Sequence, residues 1–453
     1  MTGCSKASSE ETNTAKEAVS AVSSSLVNRA DDGRIIVGIS MPDQQLERWN
    51  RDGGFLKSEF EKYGYEVILS YADNLIDKQI RELRNMIDEG VDLVVVSAID
   101  GGTLSSVLDE ASQAGVKVIA YDRLLMDTDM VDYYVSFDNY MVGELQARYV
   151  IDALKLDASD ETRNIEIVTG DPVDNNARYF YNGEMDTLAP YFEKGKLNIV
   201  SGQKDFYVTA TGTWSTEIAQ QRMQIILNSY YKHNRLDAVV CANDSTALGA
   251  VNAIKSDYSQ NNKVIVTGQD ADVENVYNIL SGNQSMTVFK ALKNEAIVTV
   301  DLTRAVLEGD SPDEKLIEES GWDFECRYDT TSYNNGRKNV KSYLLIPKAL
   351  DSSNIQKELF DTISCVVGSI DDSCFKIRMS ILELHKFHKI ALSGYCGIYY
   401  GNQCFSVRKE LLHKLVISLY IYHLCNTGDS GKIRSCHGFS GVVYSKENNR
   451  FIL

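Results

Sequence analysis

The sequence predicts an α/β fold built from two parallel-sheet units, and three observations carry that expectation. From residue 34 onward, short β-branched runs alternate with amphipathic segments. Several of those runs are almost wholly apolar, as strands of a parallel sheet covered on both faces are. After residue 137 the rhythm begins again and yields a second unit of similar size.

In the first unit, residues 34–41, 66–71, 91–98, 116–120 and 133–137 read as strands. Residues 45–62, 75–89 and 103–114 show helical periodicity between them, with Gly64, Gly90 and Gly115 placed as C-terminal caps. In the second unit, strands are expected at 164–169, 197–201, 236–241, 263–267 and 285–289. Helices are expected at 139–156, 175–189, 214–231, 244–256 and 271–281. A further helix over 291–308 follows, and the loop containing Gly336 leads to one more strand at 342–346. Two units plus leftover elements suggest lobes joined by more than one crossing. No internal sequence repeat is evident.

Four short strings place charged, amide or indole side chains where strands should end: Glu47-Arg48-Trp49, Tyr121-Asp122-Arg123, Val173-Asp174-Asn175-Asn176-Ala177 and Gly268-Gln269-Asp270-Ala271-Asp272. In open α/β sheets, ligands bind in the crevice outside the carboxyl ends of the strands. Carboxylates only accept hydrogen bonds and Arg only donates, so together they orient hydroxyls. Charge-assisted bonds are roughly twice as strong as neutral ones, and an aromatic ring covers a C–H face. These groups suit a neutral ligand rich in hydroxyls, a sugar.

With these strings the chain resembles the type I periplasmic sugar-binding proteins, in the branch of the xylose-binding and multiple-monosaccharide-binding proteins. Further matching stretches are Ser136-Phe137-Asp138-Asn139, Val142-Gly143-Glu144-Leu145-Gln146, Asn243-Asp244, Met286-Thr287-Val288-Phe289-Lys290 and Tyr333-Asn334-Asn335-Gly336. They occur in order across 33–362. The resemblance implies two Rossmann-like lobes around a ligand cleft, with hinge crossings near 137–140, 287–291 and 325–340. It places an N-terminal lobe at 33–137 plus 291–325 and a C-terminal lobe at 138–290 plus 340–362.

The resemblance also implies which residues meet the sugar: Arg48, Trp49, Asp122, Arg123, Asn175, Trp214, Asn243, Asp270 and Lys290. Each has a plainer role open to it. Arg48 could sit at the surface and Trp49 could pack its helix. Asp122 and Arg123 could form a simple ion pair. Asn175, Asn243 and Asp270 could cap helices, and Lys290 could be a solvated hinge charge. Trp214 matches the family's stacking aromatic only loosely.

The formal charge is −18, which argues against a nucleic-acid partner, since phosphate binding needs clustered Lys and Arg. That charge is uneven. Residues 363–453 hold 11 Lys/Arg and 6 Asp/Glu, against 35 and 58 in the remainder. The same stretch carries six of the nine Cys and five of the six His. Family members end near residue 362, so this Cys/His-rich tail is expected to be foreign to the family, with a disulfide-bearing extra domain as the alternative. Its cysteines show no Cys-x-x-Cys spacing, which disfavours zinc.

At the other end, Thr2-Gly3-Cys4-Ser5 resembles the close of a bacterial lipoprotein signal, and residues 5–30 read as a solvated tether. Cys4 is therefore the expected lipidation site and the sole membrane contact. No apolar run reaches the roughly 18 residues of a transmembrane helix. Nor do residues 1–30 offer the helix-turn-helix of a related repressor. His233 is the only His before residue 363, and no phosphate loop or metal-ligand spacing appears, so neither catalysis, cofactor nor metal is expected. The resemblance implies an extracytoplasmic protein, in the periplasm or lipid-anchored at the cell membrane, that captures a monosaccharide such as xylose or glucose and delivers it to the membrane subunits of an ABC importer. The alternative is a sugar-sensing receptor that partners a membrane histidine kinase or chemoreceptor.

Overall fold

The computed structural model describes residues 33–361 and four short strands at 395–400, 403–408, 443–445 and 450–452. The chain divides into two compact units, one ending at Ile355 and the other beginning at Gln356.

In the first unit, β1 (Ile36–Met41), β2 (Glu66–Tyr71), β3 (Leu93–Val96), β4 (Lys117–Tyr121) and β5 (Tyr133–Phe137) alternate with α1 (Glu47–Lys62), α2 (Ile76–Asp88) and α3 (Ser105–Gln113). Next come α4 (Asn139–Leu154), β6 (Arg163–Val168), α5 (Asn175–Glu193), β7 (Leu197–Asn198), α6 (Thr216–Tyr230), β8 (Ala238–Cys241) and α7 (Asp244–Asp257). The series continues with β9 (Ile265–Val266), α8 (Val273–Leu280), β10 (Met286–Phe289), α9 (Leu292–Leu307) and α10 (Lys315–Ser320). It closes with β11 (Cys326–Asp329), β12 (Ser342–Leu345) and β13 (Lys348–Asp351).

The strands sort into two lobes. A seven-stranded sheet runs β11-β12-β5-β4-β3-β1-β2, and only β11 pairs antiparallel within it. A second sheet runs β7-β6-β8-β9, and a parallel bridge from Gln269 to Val288 leads on to the antiparallel pair β10-β13. Apolar side chains from both faces of the first sheet fill two separate cores, one against α2 and α3 and one against α1 and α9. That two-sided burial is why β1, β3 and β5 are buried at every position. Gly64, Gly90 and Gly115 take φ of +80, +79 and +79°, as left-handed helix ends require. Gly143 and Gly183 let α4 and α5 touch: a Cβ on either would lie 2.0 or 2.1 Å from a carbonyl of the other helix.

The chain crosses between lobes at Phe137–Asn139, Phe289–Leu292 and Leu345–Lys348. The third crossing differs from the expectation of 325–340. β11 and β12 both stay in the first sheet, so 342–345 belongs to the first lobe and not to the second. The reason is non-local. Ser342–Leu345 is fully buried and pairs in parallel with β5, about 200 residues earlier, and no local pattern announces that partner. The strand β11 was not expected because its Cys-Arg-Tyr-Asp sequence lacks a clear apolar alternation. Expected strands at 197–201 and 263–267 shrink to two residues each. Within the second unit, Tyr395–Tyr400 pairs antiparallel with Gln403–Arg408, and Val443–Ser445 with Arg450–Ile452. The tail's expected character and Cys4 otherwise lie outside the described residues.

Candidate functional site

At the carboxyl ends of β1 and β4, the first turn of α1 and the loop after β4 bring charge together. Arg48 sits on α1 with Asp52 one turn later on the same face. Its Nε donates to Asp52 at 3.0 Å and its Nη2 to Asp122 at 2.9 Å. Tyr121, the last residue of β4, donates its hydroxyl to the other Asp52 oxygen at 2.7 Å. Asp52 therefore braces the Arg48 guanidinium from behind.

The second lobe answers across the cleft. Asp270, beyond β9, lies 3.5 Å from Arg48 and 3.0 Å from Lys290, which follows β10. Lys290 also approaches Asp122 to 3.8 Å. Arg123 pairs with Asp174 at 2.9 Å and donates to the Ala98 carbonyl at 3.0 Å. Asn176, at the start of α5, donates to the Asp122 carbonyl at 2.8 Å. All these charged groups are buried.

The backbone is strained at the two central carboxylates. Asp122 has φ +56° and Asp270 φ +100°, where a Cβ is disfavoured. Asp122 is held there by its N–H on Val135 and by Ser136 and Asn176 donating to its carbonyl. Asp270 is held by its N–H on Val288.

The electrostatics follow from burial set against opposite charge. Burial disfavours the Arg48 cation, but Asp122, Asp52, Asp270 and Glu295 outweigh it and hold the group well above its ordinary value. Burial pushes Asp270 up, yet Lys290 and then Arg48 bring it below the usual carboxylate range. Glu295, on α9, is fully buried, and neither of its oxygens has a hydrogen-bond partner among the described residues. Burial, together with Asp122 and Asp52, raises it well above its ordinary value.

The expected site residues divide into two groups. Arg48, Asp122, Arg123, Asp270 and Lys290 share the network above. Trp49 lies against it: the Arg48 and Arg123 guanidinium carbons sit 4.4 and 5.0 Å from its ring centroid. Its ring also belongs to the first-lobe core. Among the described residues, no polar contact joins Asn175, Trp214 or Asn243 to that network. Asn175 is half-buried at the start of α5, whereas its neighbour Asn176 is buried and reaches Asp122. Asn243 caps α7, accepting from the Thr246 N–H at 3.0 Å in a reciprocal capping box. Trp214 is buried in an apolar wall with Phe180, Phe206 and Val288, against which Leu46 of the first lobe also packs. A Cβ on Gly170 would lie 1.9 Å from the Trp214 ring, so only glycine admits that ring there.

Asp52 and Glu295 lay outside the sequence expectation, and Tyr121 and Asp174 fell within the expected strings without being singled out as site residues. The spacing of Arg48 and Asp52, four residues apart on one helix, was the available signal for the first. A separate groove of about 600 Å³, lined in part by Lys117, Asp132, Lys338 and Lys341, lies on the first lobe and shares no lining residue with this network.

The model of the periplasmic binding protein domain matches residues 37–311. The chain belongs to the periplasmic binding protein family. Its two-lobed type I fold is that family's fold. It is 40% identical over 335 residues to the multiple sugar-binding periplasmic receptor ChvE of Rhizobium radiobacter, covering 73% of this chain and 90% of that one. It is 36% identical over 320 residues to the D-xylose-binding periplasmic protein of Escherichia coli, covering 71% of this chain and 88% of that one. Among solved structures, an ABC transporter solute-binding protein from Clostridium phytofermentans with bound β-D-glucose is 44% identical, with a TM-score of 0.68. The match covers 72% of this chain and 97% of that one. Within this periplasmic binding protein, no helix among the described residues is long and apolar enough to cross a membrane. No group of three or more metal-ligating side chains is found among them either.

Proposed function

We propose that this chain is an extracytoplasmic binding protein that captures a neutral monosaccharide between its lobes and delivers it to an ABC importer. The observation that carries the reading is the meeting of Arg48 and Asp122 from one lobe with Asp270 and Lys290 from the other. One sugar hydroxyl can donate to a carboxylate while accepting from a cation, so a single ligand satisfies both lobes. The Trp49 and Trp214 rings supply aromatic surface for C–H faces. The relatives named for multiple sugars and xylose, and the glucose-bound structure, support an aldose as the ligand class.

The mechanism is hinge closure about the three strand-end crossings. Only the closed arrangement engages the ligand from both sides, so the ligand shifts the population toward it. Asn175 and Asn243 stand at the helix starts that line the second lobe and serve as further ligand contacts. A sensing role with a membrane kinase or chemoreceptor is a second reading, because one relative is named a receptor. Lipidation at Cys4 would tether the chain; Cys4→Ser should then release it from membranes into the soluble fraction.

A thermal-shift and calorimetric panel on the full chain tests the function. D-glucose, D-xylose, D-galactose and L-arabinose are the candidates, and at least one should bind at one site per chain while neutral amino acids should not. Binding of an amino acid with no response to any aldose would overturn the reading.

A further inference from the structure

Beside the charged network, a second set of cross-lobe contacts is made by side chains with no part in the proposed sugar contacts. Arg51 lies one turn beyond Glu47 on α1, and both face the start of α8 in the other lobe. The Arg51 Nη2 donates to the Asp272 carboxylate at 3.0 Å and to the Asp270 carbonyl at 3.3 Å. Glu47 accepts from the Val273 N–H at 3.4 Å, placing a carboxylate on the positive end of α8. Asp272 is itself fixed, since its N–H donates to the buried carboxylate of Asp244 at 2.9 Å.

Within its own lobe, among the described residues, Arg51 has only a loose approach to Glu47, at 4.0 Å. Its close polar partners are more than 200 residues away, on the opposite lobe. The side chains of Arg51 and Asp272 are 22% and 17% exposed, so the pair is shielded enough to matter more than a fully solvated surface pair. These contacts exist only when the lobes are together, and separating the lobes breaks them all at once.

We propose that Arg51, Asp272 and Glu47 form a latch that stabilises the closed lobes and sets ligand affinity without selecting the ligand. The inference rests on the hinge-closing function proposed above. A latch raises the affinity of every ligand that needs closure by one common factor, because a contact present only in the closed form lowers its free energy whatever lies in the cleft. Residues that touch the sugar change selectivity instead. Latch and contact are thereby separable.

The test uses the full chain and the variants Arg51→Gln, Asp272→Asn and their combination. Small-angle scattering without sugar reads closure directly, and calorimetry with D-glucose and D-xylose reads affinity. The latch predicts a larger radius of gyration in each variant and a loss of about 3–10-fold in affinity, equal for both sugars. The double variant should lose little more than the worse single variant, because the pair acts as a unit. Unchanged scattering and unchanged affinity would overturn the latch. So would a change of threefold or more in the glucose-to-xylose ratio, which would make these residues sugar contacts. If the parent chain bound no aldose while the variants still expanded, the sugar reading would fail and the latch would stand.

Discussion

On the first-lobe side of the cleft, Arg48 is braced inside its own lobe by Asp52, which also accepts from Tyr121. On the second-lobe side, Asp270 relies on Lys290 beside a hinge crossing and on Arg48 from across the cleft, and its backbone sits at a disfavoured φ of +100°. One half of the site is a preorganised fork packed on a core helix. The other is a strained loop that completes its ion pairs across the cleft. The contrast teaches that the first lobe holds a fixed template while the second supplies the groups whose satisfaction depends on closure.

The largest effect should follow from breaking the template. Arg48→Ala leaves Asp52 buried without its cation and Asp122 with only the more distant Lys290, and losing one partner of a buried ion pair costs about 3–5 kcal/mol. Urea unfolding should show that loss, together with loss of sugar binding. A change under about 1 kcal/mol would mean that the network is solvated and the template picture wrong.

A smaller effect should come from the apolar wall of the second lobe. Gly170→Ala pushes a methyl into the Trp214 ring, and overpacking of this kind costs about 1–3 kcal/mol. If aldose affinity falls as well, Trp214 takes part in binding; if only the melting temperature falls, its role is packing alone.

The third effect concerns the second lobe's core and varies with pH. Glu184 on α5 is buried with both oxygens unpartnered among the described residues, and burial pushes it up to about 8. An unfolded Glu titrates near about 4.3. A carboxyl raised on folding contributes stability that is full below the unfolded value and is lost as pH climbs through the folded one. Glu184→Gln should therefore gain on the parent between about pH 5 and pH 8, by a difference that shrinks toward acid. An equal difference in melting temperature at both ends of that range would contradict the assignment.

Much of this site was legible because its residues gather beyond strand ends. Asp122 and Lys290 stand directly past β4 and β10, Asp270 lies a short way beyond β9, and Arg48 follows β1 across a short loop, where a parallel sheet presents its ligand edge. Asp52 and Glu295 were illegible for the opposite reason. They lie within helices, where an acidic residue reads as solvated surface, and only tertiary packing buries them. The choice between Asn175 and Asn176 turns on helix phase at the first turn of α5, and a boundary shift of one residue reverses it. The third crossing was misplaced because parallel pairing of β12 with β5 leaves no local trace.

The central claim is that one neutral sugar is gripped by a carboxylate from each lobe. Calorimetric titration of D-glucose into the full chain, Asp122→Asn and Asp270→Asn tests it most directly. Each exchange keeps side-chain size but replaces an acceptor oxygen by a donor, and a charged hydrogen-bond partner is worth about 1.5–3 kcal/mol. The account predicts one site per chain in the parent and at least about a tenfold loss of affinity in both variants. Full affinity in either variant would remove that lobe's carboxylate from the site and contradict the two-sided grip.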